Sequence, residues 1–331
     1  MNLVHELLQR YLGSCLGVLS DLGEEYGVGL VGFVVMGFAV WLLSRTKKQR
    51  FSLSALFCHL FPPALYRHAT MRVTYWNLFW RGVAWGPVIA LWAVSTYILA
   101  NALNHVLVSH LGPHGRMLHA VWLNVTVQTT ALLLSSSLGF YVIHYASHKV
   151  PFLWSFHRAH HSTEALVPFS GSRAHPLDDA FTNLVTALFG GVGGGLVLFF
   201  TGTDKLLPAA LAIQASILLV STILDIFEHS HIPISFGWLN RIFYSPVMHQ
   251  IHHSAELRHR DKNFGDFANL AIWDWMFGTL YIPHKHEEYR WGLNDVEYGL
   301  NNPHLDLKSF YLEPFHYAWR GIRDWISKQP A

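Results

Sequence analysis

The chain has 331 residues, 51% of them apolar and only 13% charged, with a mean hydropathy of +0.25. Soluble domains carry about 25% charged residues, so the deficit points to a bilayer. A net charge of +2 is too small for a nucleic-acid partner, and no basic stretch alternates with aromatic residues. Two cysteines, Cys15 and Cys58, cannot ligate an iron–sulfur cluster or build a disulfide framework.

In chain order, residues 1–25 read as an amphipathic lead-in; Glu6 and Arg10 interrupt its apolar residues and no signal-peptide core follows. Five stretches then approach the roughly 20 apolar residues that a bilayer requires: Tyr26–Leu43, Ala84–Leu103, Ala120–Ile143, Ala180–Gly202 and Leu206–Phe227. Only Thr203, Asp204 and Lys205 separate the last two, which predicts a tight hairpin. Arg45, Lys47, Lys48 and Arg50 follow the first span and place residues 44–83 in the cytoplasm. Alternation brings 144–179 and everything after 228 to that same face. The glycine run Gly190, Gly191, Gly193, Gly194 and Gly195 lies inside an apolar span without the strand a dinucleotide loop needs, so it reads as close helix packing. The expected fold is all-α: a multi-pass helical membrane protein with a cytosolic, histidine-rich cap.

Histidine is over-represented, with 23 residues against 23 Lys plus Arg, and its spacing is informative. His144 and His148 form H-x-x-x-H at the end of the third span. His157, His160 and His161 form H-x-x-H-H, and His249, His252 and His253 repeat that pattern. On a helix, i, i+3 and i+4 are neighbours, whereas adjacent residues diverge by roughly 100°. One turn can therefore present imidazoles to two different metals. His175 and His229 are further ligand candidates, and His231 is a weaker one. Isolated histidines such as His59, His68, His110 and His316 read as surface or interfacial residues. A nitrogen-only donor set suits iron, zinc or copper. A catalytic zinc site takes about three protein ligands, too few for this number, whereas two metals with four or five imidazoles each account for it.

In this order and spacing the three boxes resemble those of the fatty acid hydroxylase/sterol desaturase superfamily. The resemblance extends through His175-Pro176-Leu177-Asp178, Glu228-His229-Ser230, Asp261-Lys262-Asn263-Phe264-Gly265 and Trp273-Asp274-Trp275-Met276-Phe277-Gly278-Thr279, and covers roughly residues 120–283. It implies a membrane enzyme with a di-iron centre under a cytosolic cap, using O₂ to oxidise an unactivated C–H bond of a sterol, fatty acyl chain or related lipid, hydroxylation being favoured. It makes His144, His148, His157, His160, His161, His249, His252 and His253 metal ligands, with His175 and His229 added, two Fe the cofactor and zinc a replacement in recombinant protein. A separate electron donor of cytochrome b5, ferredoxin or reductase type is implied, since no haem-binding His-Pro-Gly-Gly is present. The resemblance divides the chain into an N-terminal segment, first span and linker (1–83) and a histidine-box domain (84–331), in a bacterial inner membrane or an endoplasmic reticulum.

Acidic residues beside the boxes are expected to accept hydrogen bonds from the imidazoles. Glu164 and Asp178 are the leading candidates for catalytic support, ahead of Asp225, Glu228 and Asp274. Phe140, Tyr141, Trp154 and Phe169 are candidate wall residues for an apolar substrate, and Arg158, Arg173, Arg258 and Arg260 surround the histidines. The competing classes are a metal transporter, whose ligands should lie near mid-membrane and connect both faces, a zinc-dependent membrane hydrolase, and a non-catalytic scaffold.

Overall fold

The computed structural model describes residues 3–44, 51–86, 95–113, 120–265, 270–283, 287–293 and 301–326. The basic cluster from Arg45 to Arg50 lies outside the described residues. Twelve α-helices form the described fold: α1 (Leu3–Ser44), α2 (Leu53–Leu60), α3 (Pro63–Tyr66), α4 (Ala69–Trp80), α5 (Thr96–Leu111), α6 (Val121–Lys149), α7 (Pro151–His161), α8 (Pro176–Thr201), α9 (Pro208–Glu228), α10 (Pro246–His252), α11 (Ile272–Phe277) and α12 (Leu307–Ile326). The only β pairing among the described residues is an isolated bridge between Ser254 and Trp291.

Four helical segments are long and apolar enough to cross a membrane: Tyr26–Ser44, Val121–Lys149, Pro176–Thr201 and Pro208–Glu228. The protein is an integral membrane protein. The second expected span, Ala84–Leu103, is not one helix. A π-helical turn occupies Arg81–Trp85, residues 87–94 are not described, and α5 begins after Ser95, whose backbone is extended. An extended residue breaks the i→i−4 ladder that an uninterrupted span requires.

The α8–α9 hairpin forms as expected. Gly202 ends α8 with φ +63°, a left-handed C-cap open to glycine at no steric cost, and Pro208 starts α9 at a position where its missing N–H matters least. Gln128 of α6 clamps the connection, donating to the Thr203 hydroxyl at 3.2 Å and accepting from the Leu207 N–H at 2.7 Å.

The glycine run is a packing surface, and its residues divide by face. A Cβ on Gly191, Gly194 or Gly195 would lie 2.4–2.8 Å from Leu99, Ala100 or Leu103 of α5, and one on Gly193 would lie 2.2 Å from the Ser135 hydroxyl of α6. The bare backbone of α8 thus approaches two helices at once, a contact that any side chain would hold apart. On the other side, α1 packs on α9 through Phe33, Ile226 and Phe227, with Leu60 and Ile232 completing the cluster.

The turn that matters most for the histidines is Val150–Pro151. Val150 closes α6, donating to Ala146 O at 2.7 Å, and accepts from Trp154 N at 2.9 Å to open α7. Pro151 at the first position of α7 lacks an N–H and cannot continue α6. The chain folds back, and the first histidine pair faces the second box. Gly191→Leu should destabilise the protein by about 1–3 kcal/mol through overpacking, read as a lowered thermal midpoint in detergent. Gly13→Ala, which meets nothing within 4 Å, should leave the midpoint unchanged or slightly raised.

Candidate metal centre

Nine histidines converge in two adjoining groups. His144, His148, His157, His161 and His252 form one; His160, His229, His249 and His253 form the other, and within each group the nearest ligand atoms all lie within 4.8 Å of one another. Both triplets split as helical geometry requires. The i and i+4 members, His157 with His161 and His249 with His253, stay together, while His160 and His252 cross to the opposite group. The groups touch where the His161 and His253 rings stack with centroids 4.5 Å apart.

The ring nitrogens face each other as coordinating atoms do. Nε2–Nε2 separations are 3.1 Å for His148–His161, His161–His157 and His253–His249, 3.0 Å for His249–His229 and 3.4 Å for His229–His160. A metal–nitrogen bond of about 2.1 Å makes the edge of an octahedron about 3.0 Å and that of a tetrahedron about 3.4 Å, and these spacings match such edges. The His144 and His252 Nε2 atoms are buried and have no protein hydrogen-bond partner. Loss of hydration drives the imidazoles of His160, His161, His249 and His253 well below their ordinary value, reinforced by their neighbours, and takes His252 down to about 3. These rings are neutral at pH 7 and keep a lone pair for a cation. The donor set fits a pair of metal ions.

Four of the outward nitrogens hold their rings in place. Nδ1 of His157 bonds Asp178 Oδ2 at 3.0 Å, and Nδ1 of His229 bonds Asp225 O at 3.1 Å with Asp225 Oδ1 at 3.2 Å. Nδ1–H of His144 donates to Phe264 O and that of His252 to Lys262 O, each at 2.7 Å. An acceptor on Nδ1 fixes the tautomer that points the Nε2 lone pair inward.

Not every expected residue joins the centre. His175 lies outside both groups: it caps α8, accepting from Leu177 N at 3.2 Å, its Nε2 is 3.3 Å from Tyr311 O, and its ring packs on Phe156. His231 also lies outside, bonded to His59 O at 2.7 Å. Glu164 touches no box histidine; it accepts from Asn302 Nδ2 at 2.8 Å, with His68 at 4.0 Å. Of the arginines, Arg173 is fully buried and donates to Ser162 Oγ and to the carbonyls of Ala159, Thr70 and His304, while Arg158 pairs with Glu313 and stacks on Tyr317. They tie the cap together. Phe264, whose ring lies 5.1–5.7 Å from those of His144, His148 and His252, has no sequence signal beyond its place in the Asp-Lys-Asn-Phe-Gly segment.

Two openings reach the centre. A small cavity of about 160 Å³ lies where α6, α8 and α9 end, lined by Phe140, Thr182 and Asp225 and touching His144, His157, His160, His229 and His249 from both groups. A polar cleft of about 730 Å³ reaches His148, His161 and His252 past Lys149, Arg158 and Arg260.

Residues 129–279 match the model of the family described as fatty acid hydroxylase. The chain is 31% identical to the ornithine lipid hydroxylase OlsE of Rhizobium tropici, over 46% of its own length and 41% of the relative's. It is 30% identical to the fatty acid hydroxylase vlmA of Lecanicillium, over 48% and 42% respectively, and 27% identical to the alkylglycerol monooxygenase of Danio rerio, over 58% and 37%. The matched region thus spans about two fifths of each relative. No solved structure matches.

Asp178→Ala should weaken binding of the metal held by His157 roughly 10–100-fold, the usual cost of losing an outer partner, in a cobalt(II) titration. Glu164→Ala should leave that affinity unchanged.

Proposed function

From a chain that belongs to the fatty acid hydroxylase family over residues 129–279, we propose an O₂-dependent membrane lipid hydroxylase with a di-iron centre. The observation that carries this reading is the division of nine buried imidazoles into adjoining sets of five and four. His144, His148, His157, His161 and His252 would hold one iron and His160, His229, His249 and His253 the other. A pair of iron ions supplies the redox and O₂ chemistry that an unactivated C–H bond demands.

The remaining work belongs to the polypeptide. Asp178, Asp225 and the carbonyls of Lys262 and Phe264 hold their imidazoles in the coordinating tautomer. Burial excludes bulk water, which suppresses side reactions of the oxidant. The small cavity between α6, α8 and α9 meets both histidine groups at the ends of the membrane-crossing helices, so a lipid sliding from the bilayer presents its target carbon there. The polar cleft on His148, His161 and His252 is the approach for a separate electron donor. Relatives named for ornithine lipid, alkylglycerol and fatty acid support a substrate with a polar end and a long apolar chain. The segment after α1 packs on the histidine cap, His231 bonding His59 O and Arg173 donating to Thr70 O, so cytoplasmic basic residues after α1 would put the cap on the cytoplasmic face.

A transporter reading is disfavoured, since α8 contains no histidine and the imidazoles cluster at one end of the spans rather than along them. A zinc hydrolase would use the same imidazoles and is separated by its indifference to O₂ and reductant. Protein reconstituted anaerobically with iron(II) should hold close to two irons per chain and convert a lipid extract only with O₂ and reductant. His160→Ala and His252→Ala should each abolish conversion; full activity in both would overturn the proposal.

A further inference from the structure

The segment joining α10 to α11 passes directly beneath the five-histidine group, and its backbone does the work usually left to side chains. Lys262 O and Phe264 O accept the Nδ1–H bonds of His252 and His144, at 2.7 Å each. These two histidines come from different boxes, yet one three-residue strap orients both. The strap itself is held in an uncommon shape. Asp261 and Asn263 have φ near +58° and +59°, a region that non-glycine residues enter rarely and asparagine and aspartate most readily. Asn263 fixes this turn from its own side chain, donating to Met248 O at 3.1 Å and Tyr281 O at 2.9 Å and accepting from Tyr281 N at 2.7 Å.

Asp274 of α11 closes the arrangement from the other end. It is fully buried and accepts from Phe264 N at 2.8 Å, Gly265 N at 2.9 Å and Thr279 Oγ1 at 2.6 Å. Thr279 in turn meets the Tyr141 hydroxyl at 3.0 Å, which returns the network to α6 one turn before His144. The Phe264–Gly265 peptide unit gives its N–H to Asp274 and its carbonyl to His144. A carboxylate one residue pair removed from any imidazole therefore sets the direction of a ligand. The four-histidine group has a different support, since His229 lies 3.2 Å from Asp225 Oδ1.

We propose that Asp274 is a positioning residue for the five-histidine group alone, acting through the 262–264 backbone on His144 and His252. This rests on the reading of both histidine groups as metal sites. The aspartate supplies no ligand and touches no substrate; it strengthens the hold on one of the two adjoining metals.

The test uses the full chain in detergent, stripped of metal and titrated with cobalt(II), whose visible bands report nitrogen coordination. Wild-type protein should take two equivalents. Asp274→Asn, which places an amide N–H against an N–H donor, should keep one equivalent at wild-type affinity and weaken the other roughly 10–100-fold. The weakened equivalent should be the one whose bands vanish in His161→Ala. Thr279→Val, which removes one hydrogen bond to Asp274 at little change in volume, should shift the same equivalent by a smaller factor. Two wild-type affinities in folded Asp274→Asn, or equal weakening of both, would overturn the proposal. If Asp274→Asn does not fold, unchanged affinities in Thr279→Val overturn it instead. Failure of the wild-type chain to take two equivalents would remove the metal reading itself, a distinct result.

Discussion

The structure depends on keeping neutral imidazoles out of water with their lone pairs facing one another. Imidazole lone pairs repel at 3 Å, and hydrogen bonding among them cannot satisfy every nitrogen. The buried Nε2 atoms of His144 and His252, which point into the cluster, have no protein partner. Each unsatisfied polar atom costs about 1–3 kcal/mol, a sizeable share of the roughly 5–15 kcal/mol that stabilises a whole domain. A cation between the rings would convert the cost at His144 and His252 into bonds. The donor set is suited to such a cation.

The rest of the architecture serves this convergence. The break at Val150–Pro151 turns a membrane-crossing helix back on itself, so that two boxes 9 residues apart meet face to face. The α8–α9 hairpin, held against α6 by Gln128 and against α5 and α6 by its glycines, returns the chain to the same level with His229 at its end. Buried Arg173 then ties α7, α4 and the segment before α12 together through five acceptors rather than a carboxylate. Such a network is rigid because the guanidinium N–H groups together reach three different pieces of chain. Rigidity here keeps imidazoles that would otherwise spread apart.

The convergence of the box histidines and their division into two groups were legible because i, i+3 and i+4 spacing is a local property of one helical turn. The all-helical fold, the hairpin and the packing role of the glycine run were legible for a similar reason, from apolar length and small-residue spacing. His175 was misleading. Its place before Pro176 is equally the place of an N-cap, and nothing in the local sequence separates a capping imidazole from a coordinating one. Glu164 sits three residues past a box, but α7 ends at His161, so helical spacing no longer governs where its side chain goes. The second span failed at Ser95, an extended residue that apolar composition does not reveal. The Lys262 and Phe264 carbonyls were invisible, because every residue has a carbonyl and only the tertiary path decides which ones meet an imidazole.

The central claim is most directly tested by anomalous scattering at the iron edge from crystals of iron-reconstituted protein. Two peaks per chain are expected, one about 2.1 Å from the Nε2 atoms of the five-histidine group and the other equally close to those of the four-histidine group. A single peak, or peaks elsewhere with the imidazoles left to face one another, would contradict the account.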